Sequence, residues 1–112
     1  MAAVETRIVN ETTGAQKGQK LARFDLLPWD VLWLVAEHYG IGADKYAERN
    51  WEAGYDYSLS IAALGRHYAL FCKGEDIDPE TGTHHMCAVI FHAAALIRYT
   101  KEHPEMDNRR GK

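Results

Sequence analysis

The chain has 112 residues, of which 46% are hydrophobic and 26% charged, so it can bury one core but is too short for two domains. The formal net charge is -3 with histidine neutral, which excludes the basic surface of a protein that binds long nucleic acid. No apolar run approaches the roughly 20 residues of a membrane span, so no membrane partner is expected. The first residues lack the order of a signal peptide, and two cysteines are too few for a disulfide scaffold. These features predict a cytoplasmic protein.

The beginning of the chain is polar, and its glycines (Gly14 and Gly18) interrupt any hydrophobic periodicity. We therefore predict a flexible N-terminal arm over residues 1–20, a helical domain over 21–103 and a charged C-terminal tail over 104–112. No stretch shows an alternation of useful length for a strand. The predicted fold is all-α, a small helical bundle of about four helices.

The first two predicted helices are separated by glycines. The first helix begins near Pro28, a residue that suits a first helical turn, and its apolar residues recur at helical spacing. Gly40 and Gly42 are expected to end it, and a short second helix is expected over 43–49.

The two remaining helices are longer. The third is predicted from Ser58 to about Lys73, and the fourth from Thr83 to about Glu102, with an acidic turn between them. The large apolar residues at helical spacing are predicted to face the core: Ile61, Leu64, Tyr68 and Phe71 on the third helix, and Met86, Val89, Ile90, Ala93, Leu96 and Ile97 on the fourth.

Polar side chains occur inside these apolar helical stretches, where a structural protein normally has Leu or Ala. Burying charged or imidazole groups without partners costs several kcal/mol. The pattern therefore predicts a preorganised polar site for an anionic ligand that contains phosphate. The predicted ligand-binding residues carry positive charge, a polar amide, imidazole or an aromatic ring: Lys45, Tyr46, Asn50, Trp51, Arg66, His67 and His92.

Three of these residues also have a purely structural interpretation. Arg66 can bind phosphate through its planar guanidinium, or it can form an ion pair with the acidic turn. Trp51 and Tyr46 can stack on a nucleobase, but for Trp51 the favoured interpretation is an anchor of its loop in the core. His92 can be a core imidazole with satisfied hydrogen bonds, while His85, beside the acidic turn, is predicted to have a functional role.

Carboxylates of the acidic turn can hold Mg²⁺ or Mn²⁺ together with the phosphates of a substrate. We predict Glu75, Asp76 and Asp78 as metal ligands, with Glu37 of the first helix as a fourth. Glu75, Asp76 and His85 are the predicted catalytic residues. Two alternatives remain open: carboxylates in a turn are often merely solvated, and the histidines can instead bind a transition metal, although their spacing matches no common motif.

Several short motifs stand out together: His38-Tyr39, Gly42-Ala43-Asp44-Lys45-Tyr46, Arg49-Asn50-Trp51, Arg66-His67 and Gly74-Glu75-Asp76, followed by His85. With these motifs the chain resembles, over roughly residues 13–100, a family of small phage proteins known as dATP/dGTP diphosphohydrolase-like by their N-terminal domain. The resemblance implies a phage-encoded protein that acts in the cytoplasm of a bacterial host.

That family is distantly similar to MazG-type all-α nucleotide pyrophosphohydrolases, which cleave nucleoside triphosphates to monophosphate and pyrophosphate with Mg²⁺. The resemblance thus implies cleavage of a purine dNTP by water attack on a phosphoryl group. The Glu-Glu-x-x-Glu and Glu-x-x-Asp helix signatures of the MazG type are absent, and His92 replaces an Asn common in the family.

Three classes of function follow. The first is the Mg²⁺-dependent or Mn²⁺-dependent hydrolase. The second is a non-catalytic binder without a cofactor, which sequesters a host signalling nucleotide as an anti-defence protein. The third, a helical interaction module, does not explain the polar residues inside helices. Trp29, Trp33 and the many alanines would leave apolar surface exposed on a monomer, so we also predict a homo-oligomer.

Overall fold

A computed structural model describes residues 5–111. Residues 1–4 of the predicted arm and Lys112 of the predicted tail lie outside this described part. Two strands and three α-helices follow one another along the chain: β1 (Glu5–Val9), β2 (Gln16–Lys20), α1 (Trp29–Lys45), α2 (Tyr57–Cys72) and α3 (His85–Glu102). Short 3-10 turns lie before α1, between α1 and α2, and after α3.

The prediction of an all-α bundle with about four helices is wrong, because residues 5–111 contain three α-helices and a two-stranded antiparallel sheet. β1 pairs with β2 in a hairpin whose register joins Glu5 to Lys20 and Val9 to Gln16. The Asn10 side chain accepts hydrogen bonds from the backbone amides of Thr12 and Thr13, which fixes the turn. The hairpin residues are largely exposed. Because neither face of the hairpin is buried, its sequence lacks the alternation of apolar and polar residues from which a strand is predicted.

The second of the four predicted helices is not a separate helix, because α1 continues through both glycines. Gly40 and Gly42 keep negative φ angles inside α1, and a Cβ added at either would meet no atom of another element within 4 Å. Residues 43–45 of the predicted second helix are therefore the end of α1, and residues 46–49 form a turn instead of a helix. The chain leaves this helix through Arg49, a non-glycine residue with φ of 59°.

The predicted extents of the last two helices agree with α2 and α3, but the predicted inner faces are only partly correct: Leu96 packs against the core, whereas other members are exposed. Ile97 is 73% exposed and Tyr68 57% exposed. The buried surface of α3 instead contains Ala88, Ala95 and Tyr99, which recur at helical spacing.

Small residues bring α2 and α3 close together, and tyrosines fill the space at one end. Tyr57 and Tyr99 are buried with Ala95, and Trp51 packs against this cluster. The Tyr57 hydroxyl donates a hydrogen bond to the Tyr99 carbonyl at 2.8 Å, and the Tyr99 hydroxyl donates to the Trp51 carbonyl. Burial raises the pKa of Tyr99, so it remains a neutral donor. The core thus ties the segment after α1 to α3.

Within residues 5–111, no helix combines the length and apolar character needed to cross a bilayer.

Candidate functional site

A cleft of about 1040 Å³ lies between the helices and contains most of the polar residues described above. Its wall is formed by the second half of α1, the 3-10 turn Asn50–Ala53, one face of α2, the loop before α3 and one face of α3. Three helices and two connecting segments therefore meet at one cavity.

Helical periodicity explains which side chains reach the cleft. On α2, Leu59, Ala63 and His67 lie four residues apart and so share one face, with Arg66 beside them. On α3, Ala88 and His92 share a face in the same way. The two alanines leave the space that the larger polar side chains line.

At one end of the cleft, two imidazoles and a carboxylate come together. Nδ1 of His67 lies 2.8 Å from Nδ1 of His85, and 3.8 Å from Oδ2 of Asp78. Nε2 of His85 lies 2.7 Å from Oε1 of Glu75, to which it donates a hydrogen bond. His85 is fully buried, whereas His67 and Asp78 line the cleft. We call His67, Asp78 and His85 the imidazole–carboxylate cluster.

The loop before α3 holds Asp78 in place. The Asp78 amide donates to the Thr83 carbonyl at 2.8 Å, and Oδ1 of Asp78 accepts from the Glu80 amide at 2.9 Å. The His85 amide donates to the Asp76 carbonyl, and Ile77 forms a single β-bridge with His84. This loop is therefore a fixed part of the cleft wall, and it directs Oδ2 of Asp78 towards His67.

Two further histidines line the cleft, and each bonds to a hydroxyl chain. Nδ1 of His92 lies 2.8 Å from the Ser60 hydroxyl, which in turn bonds to the Tyr55 hydroxyl. Nδ1 of His38 lies 2.8 Å from the Thr83 hydroxyl. In both rings, Nε2 takes no part in these hydrogen bonds.

The cleft histidines favour the neutral form. Burial lowers the pKa of His92 to about 4, with smaller contributions from His67, His38 and the positive charge of Arg66. Burial is also the main cause that lowers the pKa of His38 and of His67, against the opposing effect of Asp78. Neutral imidazoles offer lone pairs, so these residues can accept hydrogen bonds or bind a cation.

Four basic residues line the cleft, but three of them have acidic partners. Lys45 lies 3.5 Å from Glu80, while Arg49 and Arg98 lie 3.1 and 3.9 Å from Glu52. Arg66 forms no salt bridge within residues 5–111, so the predicted alternative of an ion pair with the acidic turn is not observed. Its exposed guanidinium is therefore the cation most available to an anion.

Aromatic rings form another part of the wall. Trp51 and Phe91 meet edge to face with ring centroids 6.3 Å apart, and the Arg98 guanidinium lies 5.3 Å from the Trp51 ring. Trp51 both anchors its loop against the core and lines the cleft, so its two predicted interpretations are compatible. Tyr46 is mostly exposed at the cleft edge.

The structure brings all seven predicted ligand-binding residues to this one cleft: Lys45, Tyr46, Asn50, Trp51, Arg66, His67 and His92. Among the predicted catalytic residues, Glu75 and His85 are bonded to each other behind the cleft wall, while Asp76 is exposed and contributes its backbone carbonyl to the loop. Their binding or catalytic roles remain predictions.

The four predicted metal-binding carboxylates do not converge on one point. Asp78 lines the cleft, Glu75 bonds to His85, and Glu37 and Asp76 are exposed. Across residues 5–111, the group whose ligand atoms lie within 4.8 Å of one another is His67, Asp78 and His85. Because Mg²⁺ prefers oxygen ligands, this donor set does not fit a protein-held Mg²⁺ site.

Among the cleft-lining side chains that sequence reasoning missed are Phe91 and Arg98. They are seven residues apart on α3, the same spacing as His85 and His92, and Phe91 directly precedes His92. This repeat was the signal that could have placed them beside the predicted site.

Together, the fold and the site define a small helical domain whose aromatic and cationic cleft ends in an imidazole–carboxylate cluster. The chain belongs to the family of dATP/dGTP diphosphohydrolase N-terminal domains, whose model matches residues 11–109. The predicted family resemblance is thereby confirmed, and the family's description indicates a function of the dNTP diphosphohydrolase type. Comparisons with curated proteins and with solved structures give no match, so the similarity to MazG-type enzymes stays a prediction.

Proposed function

We propose that the protein binds a purine deoxynucleoside triphosphate in the cleft and hydrolyses it to the monophosphate and pyrophosphate. The observation that carries this proposal is the composition of one cavity. It contains the guanidinium of Arg66, which has no salt bridge among residues 5–111, exposed aromatic surface and, at its end, the imidazole–carboxylate cluster. A nucleotide needs these three kinds of group for its phosphates, its base and its reaction with water.

In this proposal, Arg66 binds the phosphate chain. Its guanidinium can donate two parallel hydrogen bonds to phosphate oxygens, and it loses no salt bridge in doing so. Lys45 adds a second positive charge once it leaves Glu80. The distance between Nζ of Lys45 and Oε1 of Glu80 is 3.5 Å and both side chains are exposed, so this ion pair is weak and easily broken. Trp51 and Tyr46 supply surfaces on which a purine can stack.

The reaction requires a water oxygen to bond to phosphorus while the bond between the α- and β-phosphates breaks. The proton of that water needs an acceptor, and the leaving pyrophosphate carries negative charge. His67 and Asp78 are the groups at the cleft end that can accept a proton or hold the attacking water. We take the Mg²⁺ or Mn²⁺ complex of the dNTP as the substrate, so these ions enter with its phosphates. The reaction is proposed to take place in the bacterial cytoplasm.

A second candidate function is sequestration of a nucleotide without hydrolysis. It is favoured by the scattered positions of Glu37, Glu75, Asp76 and Asp78, which do not form a carboxylate cluster. The same cleft residues would then bind a host signalling nucleotide and retain it.

We also propose that the protein is a homo-oligomer. Its accessible surface is 8648 Å², compared with about 6200 Å² expected for a compact monomer of this mass. Its radius of gyration is 18.6 Å, where about 13 Å is expected. The exposed apolar residues on all three helices, including Trp33, Tyr68 and Ile97, can account for this excess if a second copy covers them.

The experiment that tests the proposed function incubates the purified protein with dATP, dGTP, cyclic nucleotides and ADP-ribose derivatives, each with Mg²⁺ or Mn²⁺. The small molecules are analysed by chromatography before and after heat denaturation of the protein. Formation of dAMP or dGMP with pyrophosphate is expected.

The other outcomes discriminate the candidates. A nucleotide that disappears from solution and returns intact on heating would support sequestration and overturn hydrolysis. Nucleotides that remain free and intact throughout would overturn both functions.

A further inference from the structure

We infer that His67, His85 and Asp78 form a binding site for a borderline divalent transition-metal ion such as Zn²⁺, with Glu75 orienting His85 from outside. The site differs from the four-carboxylate Mg²⁺ site expected from the sequence in both its ligands and its metal. The proposal deepens the proposed function by placing a metal ion at the cleft end. Metal binding itself does not depend on the proposed function; only a catalytic role of the bound metal rests on it.

The hydrogen bond between His85 and Glu75 fixes the tautomer of His85. A carboxylate accepts, so Nε2 of His85 must carry the proton at the 2.7 Å contact. Nδ1 of His85 then presents its lone pair to His67. A carboxylate that binds the far nitrogen of a metal-ligating histidine is a common outer partner, which orients the ring and increases its basicity.

The facing Nδ1 atoms of His67 and His85 cannot both present a lone pair to each other. Two lone pairs 2.8 Å apart repel each other, so either His67 donates its Nδ1–H to Nδ1 of His85, or a cation takes the place of that hydrogen between the two atoms. Metal–nitrogen bonds of about 2.0–2.1 Å at a tetrahedral angle place two such atoms about 3.3 Å apart. The rings therefore need to separate by about half an ångström, a movement that His67 can make because its outer side borders the cleft.

Asp78 supplies the third ligand. Its Oδ2 lies 3.8 Å from Nδ1 of His67, close to the spacing of two ligands on one metal ion. Its backbone and Oδ1 are already bonded within the loop, so little ordering is needed on binding. His85 and Asp78 are buried, which distinguishes this group from surface carboxylates that are merely solvated.

The donor set selects the class of metal. Two imidazole nitrogens and one carboxylate oxygen suit Zn²⁺ and its first-row neighbours, whereas Mg²⁺ strongly prefers oxygen. Because His67 and Asp78 line the cleft, the open side of the cluster faces the space proposed for the nucleotide. Three protein ligands with an open position are typical of a catalytic rather than a structural zinc site.

The test measures metal binding to the full chain without an affinity tag and without nucleotide. Zn²⁺ is titrated by calorimetry and Co²⁺ by visible absorption, both in excess Mg²⁺. We expect one Zn²⁺ per chain and a Co²⁺ spectrum that differs from that of the hydrated ion. Asp78→Asn and His67→Gln should each abolish tight binding, and Glu75→Gln should weaken it by about 10- to 100-fold. His38→Gln and His92→Gln, matched changes in the same cleft, should leave it unchanged.

Variants that lose metal binding could do so because they fail to fold, so a variant that gains a spectroscopic signal gives an independent test. His67→Cys replaces the imidazole with a thiol, so Co²⁺ at this site should acquire an intense near-ultraviolet thiolate band that the wild type lacks. Absence of Zn²⁺ binding to the wild type, equal affinities in all variants, or no thiolate band in folded His67→Cys would each overturn the site. These results do not depend on nucleotide, so the site and the proposed function can fail separately.

Discussion

Single residues in the cleft differ in how freely their charges can act on a ligand. Lys45, Arg49 and Arg98 are near carboxylates, so an incoming phosphate must compete with an existing partner. Arg66 has no such competitor among residues 5–111, and its charge contributes to lowering the pKa of His67 and His92. Arg66 is thus the basic residue whose loss should affect anion binding most.

We therefore predict that Arg66→Gln weakens nucleotide binding by about 10- to 100-fold, because a hydrogen bond to a charged group contributes about 1.5–3 kcal/mol. Arg110→Gln removes an equal charge from outside the cleft and serves as the control. Isothermal titration calorimetry, with the nucleotide that the chromatographic assay identifies, gives the affinities of both variants. Equal affinities for the two variants would contradict the assignment of Arg66 to phosphate.

A second residue-scale prediction concerns His103, which follows α3. Its Nε2 lies 2.9 Å from the Glu52 carbonyl and its Nδ1 lies 3.0 Å from Oε1 of Glu105. Only the imidazolium can donate to both, so the Glu52 carbonyl first, and then Glu105, raise the pKa of His103. The stabilisation is fully present below the ordinary value near 6.5 and is lost as pH rises through the raised pKa.

Melting temperatures of the wild type and His103→Gln should therefore differ most at pH ~5.5 and converge towards pH ~8.5. The comparison between variants cancels the titration of the other histidines. Melting curves that stay equally separated across this range would show that His103 does not contribute in its charged form.

At the scale of the elements, two glycines have opposite requirements. Gly65 lies inside α2 with no atom near the position of an added Cβ, whereas Gly54 has φ of 95° and its Cβ would lie 2.9 Å from the His103 ring. Gly65→Ala should stabilise the protein by about 0.5–1 kcal/mol through helix propensity. Gly54→Ala should destabilise it by about 1–2 kcal/mol, since a side chain disfavours the left-handed region.

Chemical denaturation of the two alanine variants measures both effects, and the same substitution in each makes them matched controls. Destabilisation by Gly65→Ala would contradict the open surroundings of α2 at that position. An unchanged stability of Gly54→Ala would contradict the close contact between the turn after α1 and His103.

At the scale of the whole molecule, the three helices leave much of their apolar surface uncovered. Ile97, 73% exposed in the middle of α3, is a clear example of a large aliphatic side chain without cover. If a second copy covers this face, Ile97→Glu should place an unpaired charge in the interface and dissociate the oligomer. Thr12→Glu adds the same charge on the hairpin turn and is the control.

Sedimentation of the wild type and both variants measures this effect. The wild type should be larger than 12.7 kDa, and Ile97→Glu should have a lower mass than both the wild type and Thr12→Glu. A monomeric wild type would contradict the proposed homo-oligomer.

The sequence by itself determined the family, the extents of α2 and α3, and the composition of the candidate site. Helical periodicity and terminal signals are local, so they were sufficient to place these two helices. Charged and imidazole side chains inside apolar helices are equally visible in sequence, because their burial is costly without a partner. This explains why residues as distant as Lys45 and His92 were predicted for one site and are found on one cleft.

Only the tertiary structure decided which faces are buried and how the polar groups pair. Gly40 and Gly42 could each end a helix or continue one. Both have ordinary helical backbone inside α1, so the packing of the rest of the fold decides whether the helix continues through them. The close approach of α2 and α3 selected alanines and tyrosines for the core and left larger aliphatic residues outside. The contact between His67 and His85 joins residues 18 positions apart, and Glu75 reaches the same cluster from a loop. Such contacts depend on helix packing in three dimensions, which local sequence patterns do not specify.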